Sequence, residues 1–552
     1  MTDQDGRHCS RIVILGGGFA GIYTAMELEK LMDGRDDFEI VLVNKENYFV
    51  FQPMLPEVIS GSIGMLDVVS PIRRLLPRTD LHVREVETID IETRTVVCSP
   101  GFRAQPHVIP YDHLVLAMGS VTDFRGLRGL PEHAFPFKNL GDALHLRNHV
   151  IRVLDEAAIE GHDEVLRRQL LTFVVAGGGF SGVEVVAELN DFVRGVGRNY
   201  PGLDMRDVRV VLLHSGRRIL PEMAESLAVF AQEKLMKRGV EIRFNTALEA
   251  ATGDAAILRG GEQIPTKTLV STVPSFPHPI LQALPLPKAK NGRLQSTRFT
   301  HVEGRTDIWA LGDCAILPMS DGQPSPPTAQ HATRQGAVAA HNILATIRGQ
   351  PLRPFEFTGL GKMAALGHRS AIAELPFGIK ISGFPAWWVW RTIYLMKLPG
   401  MGRRVRVASA WFLDLFLPAE LVQLKLGGSG GVTQEHFEPG QVVFSQGDLG
   451  DRVYIVLSGG AEVVRSAEGG AEVALGTLGP GDWFGEMALL NETTRGATVR
   501  CLQAMDALSL PKRDFTVLAA NLPDLRRSFE RVMDERRGGP AGRRDERAPL
   551  AR

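Results

Sequence analysis

The chain has 552 residues, more than one hydrophobic core accommodates, which predicts roughly three to four domains. Lysine plus arginine (62) nearly balances aspartate plus glutamate (63), so no global field favours nucleic acid and it is excluded as a partner. The four cysteines, Cys9, Cys98, Cys314 and Cys501, form no CxxC pair, which argues against a disulfide scaffold, a redox dithiol and a metal site. The start, MTDQDGRHCS, has no apolar h-region, and no run of about 18 apolar residues follows, so a cytoplasmic compartment is expected.

Residues 11–22, RIVILGGGFAGI, and 172–183, TFVVAGGGFSGV, each read as a β-branched strand, a G-x-G-x-x-G turn and a helix. In such a turn the first glycine makes the bend and the second admits a pyrophosphate. The third lets helix and strand pack closely, and the helix N-terminus adds a positive dipole end. One copy is a weak signal; two in the same context point to two dinucleotides. Candidate cofactor contacts are Gly16, Gly18, Phe19, Ala20 and Gly21 in the first cradle, and Gly177, Gly179, Phe180 and Gly182 in the second. Residues 306–315, TDIWALGDCA, read as a strand ending in Gly-Asp, which resembles the strand of two-dinucleotide flavoproteins that returns to the first domain; the resemblance implies that Asp313 meets a ribityl chain. That assigns FAD to the first cradle and the nicotinamide nucleotide to the second.

Together with NYFVFQPMLPEV (47–58), LGDCA and TAQHATRQGAVAAHNI (328–343), these motifs give a chain that resembles a type II NADH:quinone oxidoreductase over roughly residues 10–426. The resemblance implies hydride transfer from NADH to FAD, then two electrons to a membrane quinone without proton pumping. It also implies a cofactor contact at Gln52, and a quinone site at Gln330 and Gln335, with Arg334 where the family has a further glutamine. Glu184 would lie at the nicotinamide–flavin junction and steer protons; the plainer reading is a carboxylate suited to the helix dipole. Two positions depart from the family pattern. Asn44 replaces the ribose-binding carboxylate of the FAD half, and His214, followed by Arg217 and Arg218, replaces that of the other half. The loss of a carboxylate beside arginines admits NADPH as well as NADH.

Residues 383–426 hold four of the six tryptophans, Trp387, Trp388, Trp390 and Trp411, interleaved with Arg391, Lys397, Arg403, Arg404 and Arg406. Amphipathic aromatics with basic neighbours predict helices lying in a membrane surface, at the cytoplasmic face of the inner membrane. The same segment could instead be a dimer interface, and a homodimer is expected.

After GGSGG at 427–431, the stretch FEPGQVVFSQGDLGDRVYIVLSGGAEVV and then GTLGPGDWFGEMALL resembles a cyclic nucleotide-binding domain. The likeness implies that Glu486 accepts a ribose hydroxyl and Arg495 pairs with the cyclic phosphate. Backbone at Gly485, Met487 and Ala488 would help, and Gly496 leaves cAMP versus cGMP open. The expected fold is thus α/β: two Rossmann-like domains, amphipathic membrane-surface helices and a β-roll. Expected bounds are 10–125 with 275–350 for FAD, 165–274 for NAD(P)H, 351–426 for the extension, 432–540 for the roll and 541–552 for a disordered tail. Two rivals stand beside this reading. A sulfide:quinone oxidoreductase or disulfide reductase would need paired cysteines at the flavin; a redox or cyclic-nucleotide sensor would bind the same ligands with low turnover.

Overall fold

The computed structural model describes residues 9–32, 37–101, 106–124, 126–272, 276–417, 420–424, 433–448, 452–466, 472–486 and 494–511. The Gly-Ser linker, the tail from 541, Met487 and Ala488 lie outside these residues. The chain packs as two compact units, one made of Met1–Arg125, Phe135–Ala247 and Val270–Val422, the other of Gly126–Ala134, Leu248–Leu269 and Gln423–Arg552.

The first unit holds both cradles. Strand Ser10–Leu15 lies at the centre of a five-stranded sheet in the order 308–310, 113–116, 10–15, 38–44, 80–83, with every pairing parallel. Ile12, Val13, Ile14 and Leu15 are fully buried, as a strand covered on both faces requires. Helix α1 (Phe19–Leu31) carries the chain from this strand to the next. A second five-stranded sheet repeats the plan in the order 134–136, 268–271, 172–176, 209–213, 240–243.

Four more helices matter to the site. They are α2 (Leu55–Ser60), α3 (Phe180–Val196, which follows the second cradle), α4 (Ala329–Ile347) and α5 (Phe384–Lys397). Helix α4 runs against α1 so closely that a Cβ on Gly336 would lie 2.7 Å from the Ala20 carbonyl oxygen. This contact fixes the TAQHATRQG segment beside the first cradle. An antiparallel sheet of Lys362–Ala365, Ala371–Glu374 and Lys380–Gly383 leads into α5 and then α6 (Met401–Leu413).

The tryptophan-rich segment departs from expectation in one respect. Trp387, Trp390 and Trp411 are buried, and of the four only Trp388 is exposed. The guanidinium of Arg391 is sandwiched between two of them, 4.0 Å from the Trp387 ring and 4.7 Å from that of Trp411. Indoles offer the largest apolar area in the segment, and three of them serve the core. The outward apolar face belongs to smaller residues, Phe384, Met396, Met401, Val405 and Phe412. Among the described residues no helix is long and apolar enough to cross a membrane.

In the second unit, two long strands, Arg452–Ser466 and Thr498–Pro511, pair antiparallel from Arg452↔Pro511 to Val464↔Thr498. They anchor a six-stranded sheet around a core of Phe437, Tyr454, Val456, Phe484, Val499 and Met505. Pieces from far upstream join this unit. The short helix Leu130–His133 meets the strand Thr433–Phe437, with His133 Nε2 2.8 Å from the His436 carbonyl oxygen and Arg128 3.1 Å from Glu438. The hairpin strands Leu248–Ala251, Ala255–Leu258 and Gln263–Pro265 also belong here.

Candidate active site and nucleotide pocket

In the first cradle Gly16 turns with φ +106°, and a Cβ there would collide with the Ala117 carbonyl. A Cβ on Gly21 would collide with the Gly16 carbonyl, whereas one on Gly18 would meet nothing within 4 Å. Gly18 is therefore the glycine that faces open space. It is also the N-cap of α1, with no side chain capping the helix and no acid in its first turn. The first-turn amides and the dipole end thus point at the open ground, which fits a dinucleotide pyrophosphate. Asn44 accepts from the Gly17 amide at 2.8 Å and donates to the Glu46 carbonyl at 2.8 Å, bracing the turn. Phe19 packs edge-on against Phe49 and Phe51, and the exposed Gln52 donates to the Lys138 carbonyl at 3.4 Å.

Asp313 sits at the returning strand's end, accepting from Ser120 Oγ at 3.1 Å, which in turn accepts from Lys138 Nζ at 2.5 Å. Burial lowers the Lys138 pKa, and the nearby Asp313 charge opposes that shift. Gln335 is buried, accepts from the Gly312 amide at 2.8 Å and donates to Ser325 Oγ at 2.9 Å. Gln330 bridges the 360–361 turn, donating to the Gly361 carbonyl and accepting from the Leu360 amide. Arg334 lies 4.0 Å over the Phe357 ring. Cys314 is buried with its thiol bonded to the Leu116 and Leu311 carbonyls, and burial pushes its pKa up to about 11. Cys98, Cys314 and Cys501 are free thiols.

The second cradle follows the same rules. Gly177 has φ +121° and is crowded by Thr272, Gly182 by the Gly177 carbonyl, and Gly179 faces open space at an uncapped helix start. His214 Nδ1 accepts from the Gly178 amide at 3.2 Å, and burial lowers its pKa. Arg218 donates to the Pro221 and Met223 carbonyls, while Arg217 is exposed. Glu184, two residues beyond Gly182, accepts from the Ala365 amide at 3.0 Å; burial raises its pKa to about 8. Glu188 and Glu57 lie deeper, 6 % and 4 % exposed. Trp411 Nε1 donates to Glu57 at 2.7 Å, and Arg391 stands 3.7 Å from Glu57 and 3.6 Å from Asp414.

In the second unit the fold brings Gly485, Glu486 and Arg495 together. Arg495 is buried, donates to the Gly485 carbonyl at 2.6 Å and the Arg452 carbonyl at 2.9 Å, and lies 4.1 Å over the Phe444 ring. Gly485 turns with φ +90°, and Glu486 beside it is 1 % exposed. The Gly496 carbonyl accepts from Arg465 at 3.3 Å.

A family model described as pyridine nucleotide-disulphide oxidoreductase matches residues 10–336, more than half of the chain. The chain belongs to that family. An NDH2 C-terminal domain model matches residues 360–417, and a cyclic nucleotide-binding domain model matches 434–521. A demethylphylloquinone reductase of Synechocystis is 32% identical over 74% of this chain and 96% of its own. A type II NADH:quinone oxidoreductase of Staphylococcus epidermidis is 29% identical over 71% of this chain and 96% of its own. An internal alternative NAD(P)H-ubiquinone oxidoreductase of Solanum tuberosum is 28% identical over 75% and 88%. In fold the chain is similar to NDH2 from Plasmodium falciparum in complex with NADH, with a TM-score of 0.69 at 18% identity, over 75% of this chain and all of that one.

The protein is thus an enzyme of that family, similar to type II NADH:quinone oxidoreductases over most of its length, with an NDH2 C-terminal domain and a C-terminal cyclic nucleotide-binding domain. Sequence reading gave no role to Glu57, Glu188 and Asp191, and it placed Arg391 on the membrane-facing surface, whereas that guanidinium is buried. A signal was present: Glu184, Glu188 and Asp191 follow one another at helix-face spacing.

Proposed function

We propose that the enzyme takes a hydride from NADH onto FAD in the first cradle and delivers two electrons to a membrane quinone without pumping protons. The carrying observation is the pair of open glycines, Gly18 and Gly179, each at an uncapped helix N-terminus within one compact unit. When bound, FAD supplies the hydride acceptor and the electron store. The chain's part is to hold it: Gly18 and the first-turn amides for the pyrophosphate, with Asp313, Ser120 and Lys138 for the polar chain beyond. Gln330 and Gln335 stiffen the quinone side through the turns they brace, and Glu184 handles protons. A buried, carbonyl-bonded Cys314 supports chemistry without a dithiol. Donor choice is NADH first, with NADPH admitted through the exposed Arg217; the Solanum relative is named for NAD(P)H.

The enzyme works as a peripheral homodimer on the cytoplasmic face of the inner membrane. It touches lipid through Phe384, Trp388, Met396 and Met401, flanked by the exposed Lys397 and Arg406. Its C-terminal domain takes cAMP or cGMP and regulates turnover, with Arg495 exchanging its carbonyl partners for the cyclic phosphate.

Purified protein should be yellow, bleach with NADH and regain its colour on adding quinone; bleached protein that quinone cannot reoxidise would sink the proposal. Sedimentation with anionic vesicles tests the lipid face. Calorimetry of the full chain with cAMP and cGMP tests the sensor. Arg495→Ala should abolish the heat and Arg495→Lys should only partly restore it, because a point charge cannot reproduce the guanidinium fork.

A further inference from the structure

Helix α3 presents Glu184, Glu188 and Asp191 one turn apart on one face. Packed against that face are Glu57 and Ser60 of α2, Ala365, His368 with Arg369, Arg238, Arg391 and Tyr394 of α5, and Asp414 just after α6. Asp191 has a cation of its own, Arg238 at 3.0 Å, and accepts from the His368 amide at 2.7 Å where the chain reaches solvent. Three carboxyls remain, Glu57, Glu188 and Asp414, around the single guanidinium of Arg391. One buried cation cannot keep three carboxylates ionised, because each unpaired charge loses its hydration and repels its neighbours. At least one therefore holds a proton at neutral pH. Burial pushes Glu57 up to about 7 and Glu188 and Glu184 up to about 8; the Glu57 charge raises both of the others, and Asp414 raises Glu57. Arg391 Nε, itself buried, has no hydrogen-bond partner among the described residues, so the cluster has a donor to spare for a passing proton carrier.

We propose that Glu57 and Glu188 share a stored proton and pass it to Glu184, which delivers it to the oxygen of the reduced acceptor. This rests on the quinone-reductase reading above. The overall reaction is NADH plus one proton plus quinone giving NAD⁺ plus quinol. One C–H bond breaks and its electron pair reduces the quinone. Two O–H bonds form, one with the proton that accompanies the hydride and one with a proton from water. That second proton must enter a closed site. It enters at Asp191 and His368, rests on the Glu188–Glu57 pair, and leaves through Glu184. Glu188 and Glu57 act through Glu184 and so supply and position the proton without touching the substrate.

The test uses full-length, flavin-loaded enzyme carrying Glu188→Gln or Glu57→Gln, with Glu188→Asp as the conservative variant. Infrared difference spectra should show a protonated carboxyl band in the wild type that titrates between about pH 6 and about 9 and is lost in both glutamine variants. Stopped-flow reoxidation by quinone should slow at least about tenfold near pH 7 in Glu188→Gln, with a larger solvent isotope effect, and far less near pH 9, where the wild-type pair has itself lost its proton. Glu188→Asp should recover part of the rate. Glu27→Gln, at the matching but solvated place on α1, should change nothing. A band that persists in both glutamine variants, or wild-type reoxidation in Glu188→Gln near pH 7, overturns the proposal. Failure of the wild type itself to reduce quinone would overturn the functional reading beneath it, and so is told apart.

Discussion

Glu27 on α1 and Glu188 on α3 occupy the same place after their glycine cradles, yet they live in different media. Glu27 lies near the surface, 2.9 Å from Lys30 and 3.4 Å from His341. Glu188 is sealed between α2 and the C-terminal extension, and burial raises its pKa to about 8. The preceding turn repeats the contrast, with Tyr23 in the first half and Glu184 in the second. The cradles themselves match part for part: Asn44 and His214 both accept the amide of the middle glycine. A turn that binds phosphate has few solutions, whereas the helix behind it takes its chemistry from whatever packs over it. In the first half that is α4, brought close by Gly336; in the second half it is the carboxyls and Arg391.

The comparison breaks most sharply at the first glycines. Gly16→Ala places a methyl in the Ala117 carbonyl at a strained φ, and colourless protein is the expected outcome. Gly177→Ala should leave the protein yellow and reducible by dithionite but inert to NADH. Absorbance spectra separate the two, and equal loss of flavin in both would mean the halves are not assigned as proposed.

The next largest effect concerns stability against pH. Glu188 has an ordinary value of 4.5 and a folded value of about 8. A carboxyl raised in this way contributes stability that is fully present below about pH 4.5 and is lost as pH rises towards 8. Glu188→Gln should flatten that decline by several degrees in Tm, on the order of a few kcal/mol, and Glu27→Gln should not. Calorimetric scans near pH 5 and near pH 8.5 decide it.

A smaller change is expected at Arg217, the exposed cation of the second cradle. Arg217→Ala should cut kcat/KM for NADPH roughly tenfold, about 1.4 kcal/mol, and leave NADH nearly unchanged. Equal losses for both donors would mean that the arginine does not read the 2′-phosphate. The smallest effect is Asn44→Ala, which removes one hydrogen bond to the Gly17 amide and should cost about 1 kcal/mol in flavin retention. Titrating the apoprotein with FAD measures it.

The cradles, the Gly-Asp strand and the β-roll were legible because each is a local pattern with one mechanical purpose. Gly16, Gly177 and Asp313 announce themselves within ten residues of chain. The inward turn of Trp387, Trp390 and Trp411 was not legible, since an amphipathic helix says which residues share a face but not which face meets the core. Glu57 and Arg391 were invisible for a related reason. Each is ordinary in its own segment, and only packing α2, α3 and α5 together makes three carboxyls share one guanidinium. Asn44 and His214 look like departures from a ribose site; in the fold both also serve as braces for the turn.

The docking of the helix Leu130–His133 on the strand Thr433–Phe437 has a consequence for synthesis. His133 and His436, bonded in the finished unit, are 303 residues apart in the chain. At roughly 5–20 residues per second, the helix waits on the order of 15–60 s for the strand that covers it. During that interval Arg128 and His133 face solvent or a chaperone. The β-roll is therefore also the later-made cover of an earlier surface. A chain cut at the glycine linker would stay in that nascent condition for the whole of its life.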